Sequence, residues 1–217
     1  MDTQVLAAMA RWPDVPAVYG WLSLTESGHW RLHPAGTALQ QPESPGEAIT
    51  SPQILAFIDR NYSADPQGQW YFQNGPQRVY VRLDAAPYIL HTTTDAASGR
   101  LKLRTHTGLD IRELRALYVD ETGRLYMATD RGPALMAGRD LPAVLDALGP
   151  DAVAACLETG RHTLTHSSLI QGFPASPVPL EPRTRAALET LLGFRRLPEA
   201  PPGAAHAGPP AGGPAPH

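Results

Sequence analysis

The stretch from Gln69 to Leu83, Gln-Trp-Tyr-Phe-Gln-Asn-Gly-Pro-Gln-Arg-Val-Tyr-Val-Arg-Leu, constrains the fold more than any other part of the chain. Aromatic and β-branched residues fill both halves. Asn74-Gly75 between them is a dipeptide that readily takes the positive φ of a two-residue hairpin loop. The stretch reads as two strands around a tight turn, and a hairpin is not in itself a sign of function.

More of the same sheet lies on either side. Val18 to Thr25 and His29 to His33 alternate apolar and polar residues around Glu26-Ser27-Gly28. Tyr88 to Thr93 and Leu101 to Thr107 form another pair of runs, and Leu114 to Asp120 with Arg124 to Thr129 a third. Gly-polar-apolar-x-apolar patterns recur after glycines 28, 68, 99 and 123. Their spacing is too uneven for a propeller or solenoid, so they reflect shared hairpin chemistry. Helical spacing marks Thr3 to Trp12, the run after Ser51-Pro52, a helix through Leu148 capped by Asp140-Leu-Pro, Asp151 to Glu158 and Pro182 to Phe194. His162 to Gln171 reads as a strand or an extended arm.

An apolar fraction of 42% with charge at 18% excludes a wholly disordered chain. Of 18 cationic residues only Lys102 is lysine, which a GC-rich coding bias explains better than any functional choice of arginine. The net charge of −3 gives no overall field that demands nucleic acid or an anionic membrane, so any electrostatic role must come from local clustering. A single cysteine, Cys156, forbids an internal disulfide, and the first residues lack the basic flank and long apolar run of a secretory signal. The expected location is the cytoplasm, with no membrane contact.

Sorting each strand by period two sets a candidate surface apart. With Trp30, Leu32, Val79, Val81, Leu83, Leu101, Leu103, Leu125 and Met127 inward, the outward set is His29, Arg31, His33, Arg78, Tyr80, Arg82, Lys102, Arg104, His106, Arg124 and Tyr126. On one common face, Arg78, Tyr80, Arg82, Lys102 and Arg104 would make a basic and aromatic surface for an acidic protein or a nucleic acid. The plainer reading is an ordinary solvated sheet face.

Two other constellations carry chemistry on paper. Cys156, His162 and His166 form a Cys/His cluster, but as strand residues the two histidines lie roughly 13 Å apart, too far for one ion. His91 and His106, in Thr-rich strands, could meet across a hairpin with Asp110 nearby, as the acid/base group of a small hydrolase or transferase. Phosphate-binding glycine loops and nucleophile-elbow motifs are absent from the sequence. No cofactor is expected.

The run Ile58-Asp59-Arg60-Asn61-Tyr62, then Gly68 through Val81, with Tyr19-Gly20-Trp21-Leu22 upstream and Thr105-His106-Thr107-Gly108 downstream, resembles the signature of an uncharacterised bacterial family, a domain of unknown function. The resemblance implies no activity, ligand or catalytic residue.

The expected fold class is α+β, a mostly antiparallel β-meander of hairpins with short helices packed on one side. A hairpin-rich α+β domain would span residues 1–149, a helical C-terminal extension 150–197, and a disordered Pro/Gly/Ala tail 198–217. The expected function is a non-enzymatic binding or accessory module that meets a partner through the basic face. A homodimer through an exposed edge strand is a further option.

Overall fold

A computed structural model describes residues 1–149, 151–165 and 167–200. His166 and most of the expected tail lie outside the described residues. Among the described residues the fold is α+β, with two sheets and five helices. Contacts group the chain into two compact units. The first comprises Met1–Thr25, His29–Asp84 and the segment from Phe194, and the second Glu26–Gly28 with Ala85–Gly193.

The first unit holds α1 (Thr3–Arg11), β1 (Val18–Leu24), β2 (Trp30–Leu32), β3 (Glu47–Ala48), α2 (Pro52–Arg60), β4 (Tyr62–Ala64), β5 (Trp70–Asn74) and β6 (Gln77–Leu83). Its sheet runs β3-β2-β1-β6-β5-β4. The β5–β6 hairpin is present, but Asn74 pairs with Gln77, so the loop is Gly75-Pro76, one residue later than the sequence suggests. Gly75 takes φ +57° at the first loop position, and Pro76, with no N–H for the ladder, sits in the turn. Helix α2 sets Phe57 edge-on to Phe72, with ring centroids 5.5 Å apart. Its Asp59 accepts the Trp30 indole N–H at 2.9 Å.

The second unit holds β7 (Tyr88–Thr94), β8 (Leu101–Thr105), β9 (Leu114–Val119), β10 (Leu125–Thr129), β11 (Gly132–Met136), α3 (Leu141–Leu148), α4 (Ala152–Thr159), β12 (His162–Leu164), β13 (Val178–Pro182) and α5 (Arg185–Leu192). Its sheet runs β12-β13-β9-β10-β11-β7-β8. The division expected at residues 149/150 runs through this unit, and from the expected extension β12, in the stretch read as a strand or an extended arm, and β13 join its sheet.

Neither sheet is the antiparallel meander the hairpins suggest. Both are mixed, because β1 pairs with β6, β11 with β7 and β13 with β9 in parallel. Parallel neighbours need long crossovers, which bring cover to both faces of a sheet. Residues expected to face water are therefore enclosed. His33 is buried in the first unit and Tyr126, at 0% exposure, in the second, while Leu32, expected inward, is exposed.

The recurring glycine pattern has a structural cause. Four hairpin turns share one five-residue loop, at Thr25–His29, Asp65–Gln69, Thr105–Leu109 and Asp120–Arg124. In each, the first residue's N–H donates to the fifth residue's carbonyl, and its side-chain oxygen accepts the fifth residue's N–H. The fourth position is glycine with φ of 78° to 84°, a left-handed conformation that costs glycine little. The loop at Gly99 is one residue longer, with Asp95 N–H donating to Arg100 O.

Candidate functional site

The five residues expected to form one basic face are divided between the two sheets. In the first unit Arg82 is 3% exposed. Its guanidinium donates to the carbonyls of Ala38, Gln41 and Ser44 and to Ser23 Oγ, and it pairs with Asp84 at 3.2 Å. It pins the 34–46 loop and presents nothing to a partner. Tyr80 is also buried, stacked on Tyr19 with centroids 4.6 Å apart, its hydroxyl donating to Asp65 Oδ2 at 3.0 Å. Burial raises the Tyr80 pKa and pushes that of Tyr19 up to about 12. Arg78 is half-buried and lies over the Tyr71 ring at 4.7 Å. The common face is absent because β6 lies between β1 and β5 and is covered on both sides.

Lys102 and Arg104 in the second unit remain accessible. They share one side of β8, with Leu103 buried opposite. The Thr105–Leu109 loop then returns the chain along β8, bridging Arg104 to Asp110 and letting Ile111 N–H donate to Leu103 O at 2.9 Å. The turn therefore delivers Asp110 to both cations. Its Oδ2 lies 2.8 Å from Lys102 Nζ and its Oδ1 3.0 Å from Arg104 Nε. The hydrogen bond from Lys102, then the charges of Lys102 and Arg104, hold the Asp110 carboxyl below its usual range.

The second wall comes from residues 169–172. Leu101 N–H donates to Leu169 O and Gln171 N–H to Leu101 O, both at 2.7 Å, so this segment covers the outer edge of β8. Gly172 passes so close to the 111–112 backbone that a Cβ would lie 2.9 Å from Arg112 O, and its φ is +81°. Asp130 Oδ1 fixes the next turn by accepting the N–H of Arg112 and of Glu113. Lys102, Asp110, Ile111, Arg112, Gln171 and Gly172 line an open groove of about 330 Å³. Nearby carboxylates are engaged elsewhere, Asp130 with Arg131 and Glu113 with Arg115. Two cations, Lys102 and Arg104, thus meet one carboxylate, and a third, Arg112, lines the same groove. The sequence pointed to Lys102 and Arg104 but missed Arg112 and gave Asp110 a different role. The Thr-x-x-Gly loop signal at 105–108 marks the turn that brings Asp110 back to β8.

His91, His106 and Asp110 do not assemble into an acid/base group. His91 Nδ1 lies 3.0 Å from Asp140 Oδ2, while Thr92 donates to Asp140 Oδ1 and Arg139 to Asp140 Oδ2. Burial pushes the Asp140 pKa up, but those hydrogen bonds outweigh it and leave the pKa lowered. The sequence marks Asp140 as a helix cap, yet its side chain makes no capping bond and serves His91 instead. His106 Nδ1 accepts from Ile89 N–H, and burial, with the nearby His91, drives its pKa down to about 3. It is neutral at physiological pH and turned to the backbone.

The Cys156 thiol donates to Leu180 O at 3.3 Å, and burial raises its pKa. His162 pairs with Leu180 across the ladder. No group of three potential metal ligands occurs among the described residues, and His166 is not one of them. No helix among the described residues is long and apolar enough to cross a membrane.

A family model, DUF2944, with the description "Protein of unknown function (DUF2946)", matches residues 1–199. Two solved structures of DUF1285 family proteins are similar. The one from Silicibacter pomeroyi DSS-3 shares 17% identity over 80% of this chain and 84% of its own, with a TM-score of 0.47. The one from Shewanella baltica OS155 shares 11% over 61% of this chain and 92% of its own, with a TM-score of 0.41. No curated protein matches the chain.

Proposed function

The chain belongs to the DUF2944 family, an uncharacterised domain of unknown function, and from that premise we propose that it is a cytoplasmic, non-enzymatic binding module whose second unit receives an anionic group of a protein partner in the Lys102–Asp110–Arg112 groove. The observation that carries this reading is the pairing of Lys102 and Arg104 with the single carboxylate of Asp110, beside an open groove that Arg112 also lines. Charge excess of this kind steers and orients an acidic partner more than it adds raw affinity. An acidic protein suits it better than a nucleic acid. The chain is acidic overall, at −3, and the groove has room for one group rather than a run of phosphates. The dispersal of His91, His106 and Asp110 to separate partners supports the non-enzymatic part.

The test is fluorescence anisotropy of a labelled oligoglutamate peptide at low ionic strength against wild type and Lys102→Gln/Arg104→Gln. The expected result is binding that weakens with salt and falls at least about fivefold in the double variant, with the urea midpoint unchanged. Equal binding by both proteins overturns the reading. A single-stranded oligonucleotide that binds tighter than the peptide would replace the protein partner with a nucleic acid.

A further inference from the structure

Asp110 gives each of its two cations one oxygen, Oδ2 to Lys102 and Oδ1 to Arg104. Arg112 lines the same groove and has no ion-pair partner among the described residues. A carboxylate has only two oxygens, and here Oδ2 meets Lys102 while Oδ1 lies beside Arg104 without accepting a hydrogen bond. A phosphate monoester offers three terminal oxygens and close to two negative charges at neutral pH, and each oxygen can take a charge-assisted hydrogen bond. Lys102 and Arg104 at the carboxylate, with Arg112 in the same groove, therefore match a phosphate in number and charge better than they match one carboxylate.

The backbone at Asp110 is fixed while its side chain is partly exposed, with Oδ1 turned inward. Its carbonyl accepts from Arg131 Nε at 3.2 Å, and the residue bridges to Arg104, yet the side chain retains 36% of its accessible surface. Rotating the carboxylate into water breaks no backbone contact and leaves no buried charge, and exposed pairs of this kind exchange readily. We propose that Asp110 is an intramolecular stand-in for a phosphate monoester, which displaces it to bind Lys102, Arg104 and Arg112 together. This rests on the docking reading above and names the group that docks. The phosphate is carried on a phosphorylated side chain or on a small molecule, and both present the same terminal oxygens.

The experiment titrates inorganic phosphate into wild type, Asp110→Asn and Arg112→Gln at low ionic strength, following the amide resonances of Ile111 and Gly172. Asp110→Asn removes the competing charge and is expected to bind phosphate about tenfold tighter than wild type, while Arg112→Gln binds it several-fold more weakly. Urea midpoints of both variants, expected to stay near wild type, exclude misfolding as the cause. Equal or weaker phosphate binding by Asp110→Asn, with oligoglutamate binding still dependent on Lys102 and Arg104, overturns the stand-in and leaves the docking reading in place. Failure of wild type to bind either probe overturns both. A phosphoserine peptide that outcompetes both its serine twin and inorganic phosphate assigns the group to a phosphoprotein, and a preference for inorganic phosphate assigns it to a small molecule.

Discussion

Arg82 in the first unit and Arg104 in the second have similar local sequences, each one residue after a buried apolar side chain in an alternating strand, yet their surroundings differ sharply. Arg82 is 3% exposed and held at both terminal nitrogens by loop carbonyls, whereas the Arg104 side chain keeps 53% of its surface and shares one carboxylate with Lys102. The difference lies in where their strands sit. β6 is an inner strand between β1 and β5, while β8 ends its sheet. An arginine on a strand enclosed on both faces must satisfy its donors within the fold, and one on an edge strand keeps some for a ligand. Alternation tells which side of a strand a residue takes, but not whether that side is covered.

The largest expected effect tests the structural half of this contrast. Arg82→Met keeps most of the volume but leaves the carbonyls of Ala38, Gln41 and Ser44 without their donor, at an expected cost of about 3–5 kcal/mol. All four tryptophans, Trp12, Trp21, Trp30 and Trp70, belong to the first unit, so tryptophan fluorescence in urea reads this loss directly. Arg82→Lys should recover only part of it, since an ammonium cannot reproduce the fork that spans several acceptors. A midpoint within error of wild type for Arg82→Met would remove the pinning role of Arg82.

Acid sensitivity comes next and belongs to the second unit. His106 is neutral in the fold, with a pKa near 3, whereas in the unfolded chain it takes up a proton below its ordinary 6.5. The unfolded state then binds more protons between those values, so stability is complete above about pH 6.5 and declines as pH falls toward about 3. Carboxylates also titrate in the lower part of this window, and His106→Gln isolates the histidine share. The variant should show a shallower decline between pH 6.5 and 5, read as the far-UV circular dichroism midpoint in urea at each pH. Parallel profiles for the two proteins would mean that His106 is solvated in the fold.

Much of this contrast was hidden from the sequence for a physical reason. Hairpins are local, and β5–β6, β7–β8 and β9–β10 were legible from turn residues and alternation. The parallel pairs are not local. Nothing near Val18 indicates that Val79 will be its neighbour, or that the 34–46 loop will close over Arg82. The division of the proposed basic face between two sheets follows from the same long-range pairing. By contrast, the turn that carries Asp110 to Arg104 was within reach, since Thr105-His106-Thr107-Gly108 repeats the pattern of Asp120-Glu121-Thr122-Gly123. Asp140 was misread because an aspartate before Leu-Pro at a helix start serves equally as a cap or as a partner for a distant histidine.

A smaller effect is expected at the shared loops, and it sharpens the comparison between units. Asp120 Oδ1 accepts the N–H of Thr122 and of Arg124, as Asp65 Oδ1 accepts those of Gln67 and Gln69. Replacing either by alanine leaves two turn amides to water, at about 1–2 kcal/mol. Asp65→Ala should cost more than Asp120→Ala, because Asp65 also anchors the buried Tyr80 hydroxyl. Equal losses in chemical denaturation would show that the Tyr80 bond contributes nothing beyond the turn.

The smallest effect is expected at the groove, and its smallness is the point. Arg104→Ala removes one of two cations from a carboxylate that water already reaches, and Lys102 Nζ stays 2.8 Å from Asp110 Oδ2. Exposed ion pairs gain little over solvation, so the melting temperature should fall by under about 2 °C. Arg82→Met and Arg104→Ala then differ by far more than their similar local sequences suggest. A residue whose loss the fold barely registers, but whose loss weakens an anionic peptide severalfold, is held in place for something outside the chain. A fall of about 8 °C or more for Arg104→Ala would instead make the Lys102–Asp110–Arg104 group a structural clasp for the β8 edge, and the docking surface would lose its main support.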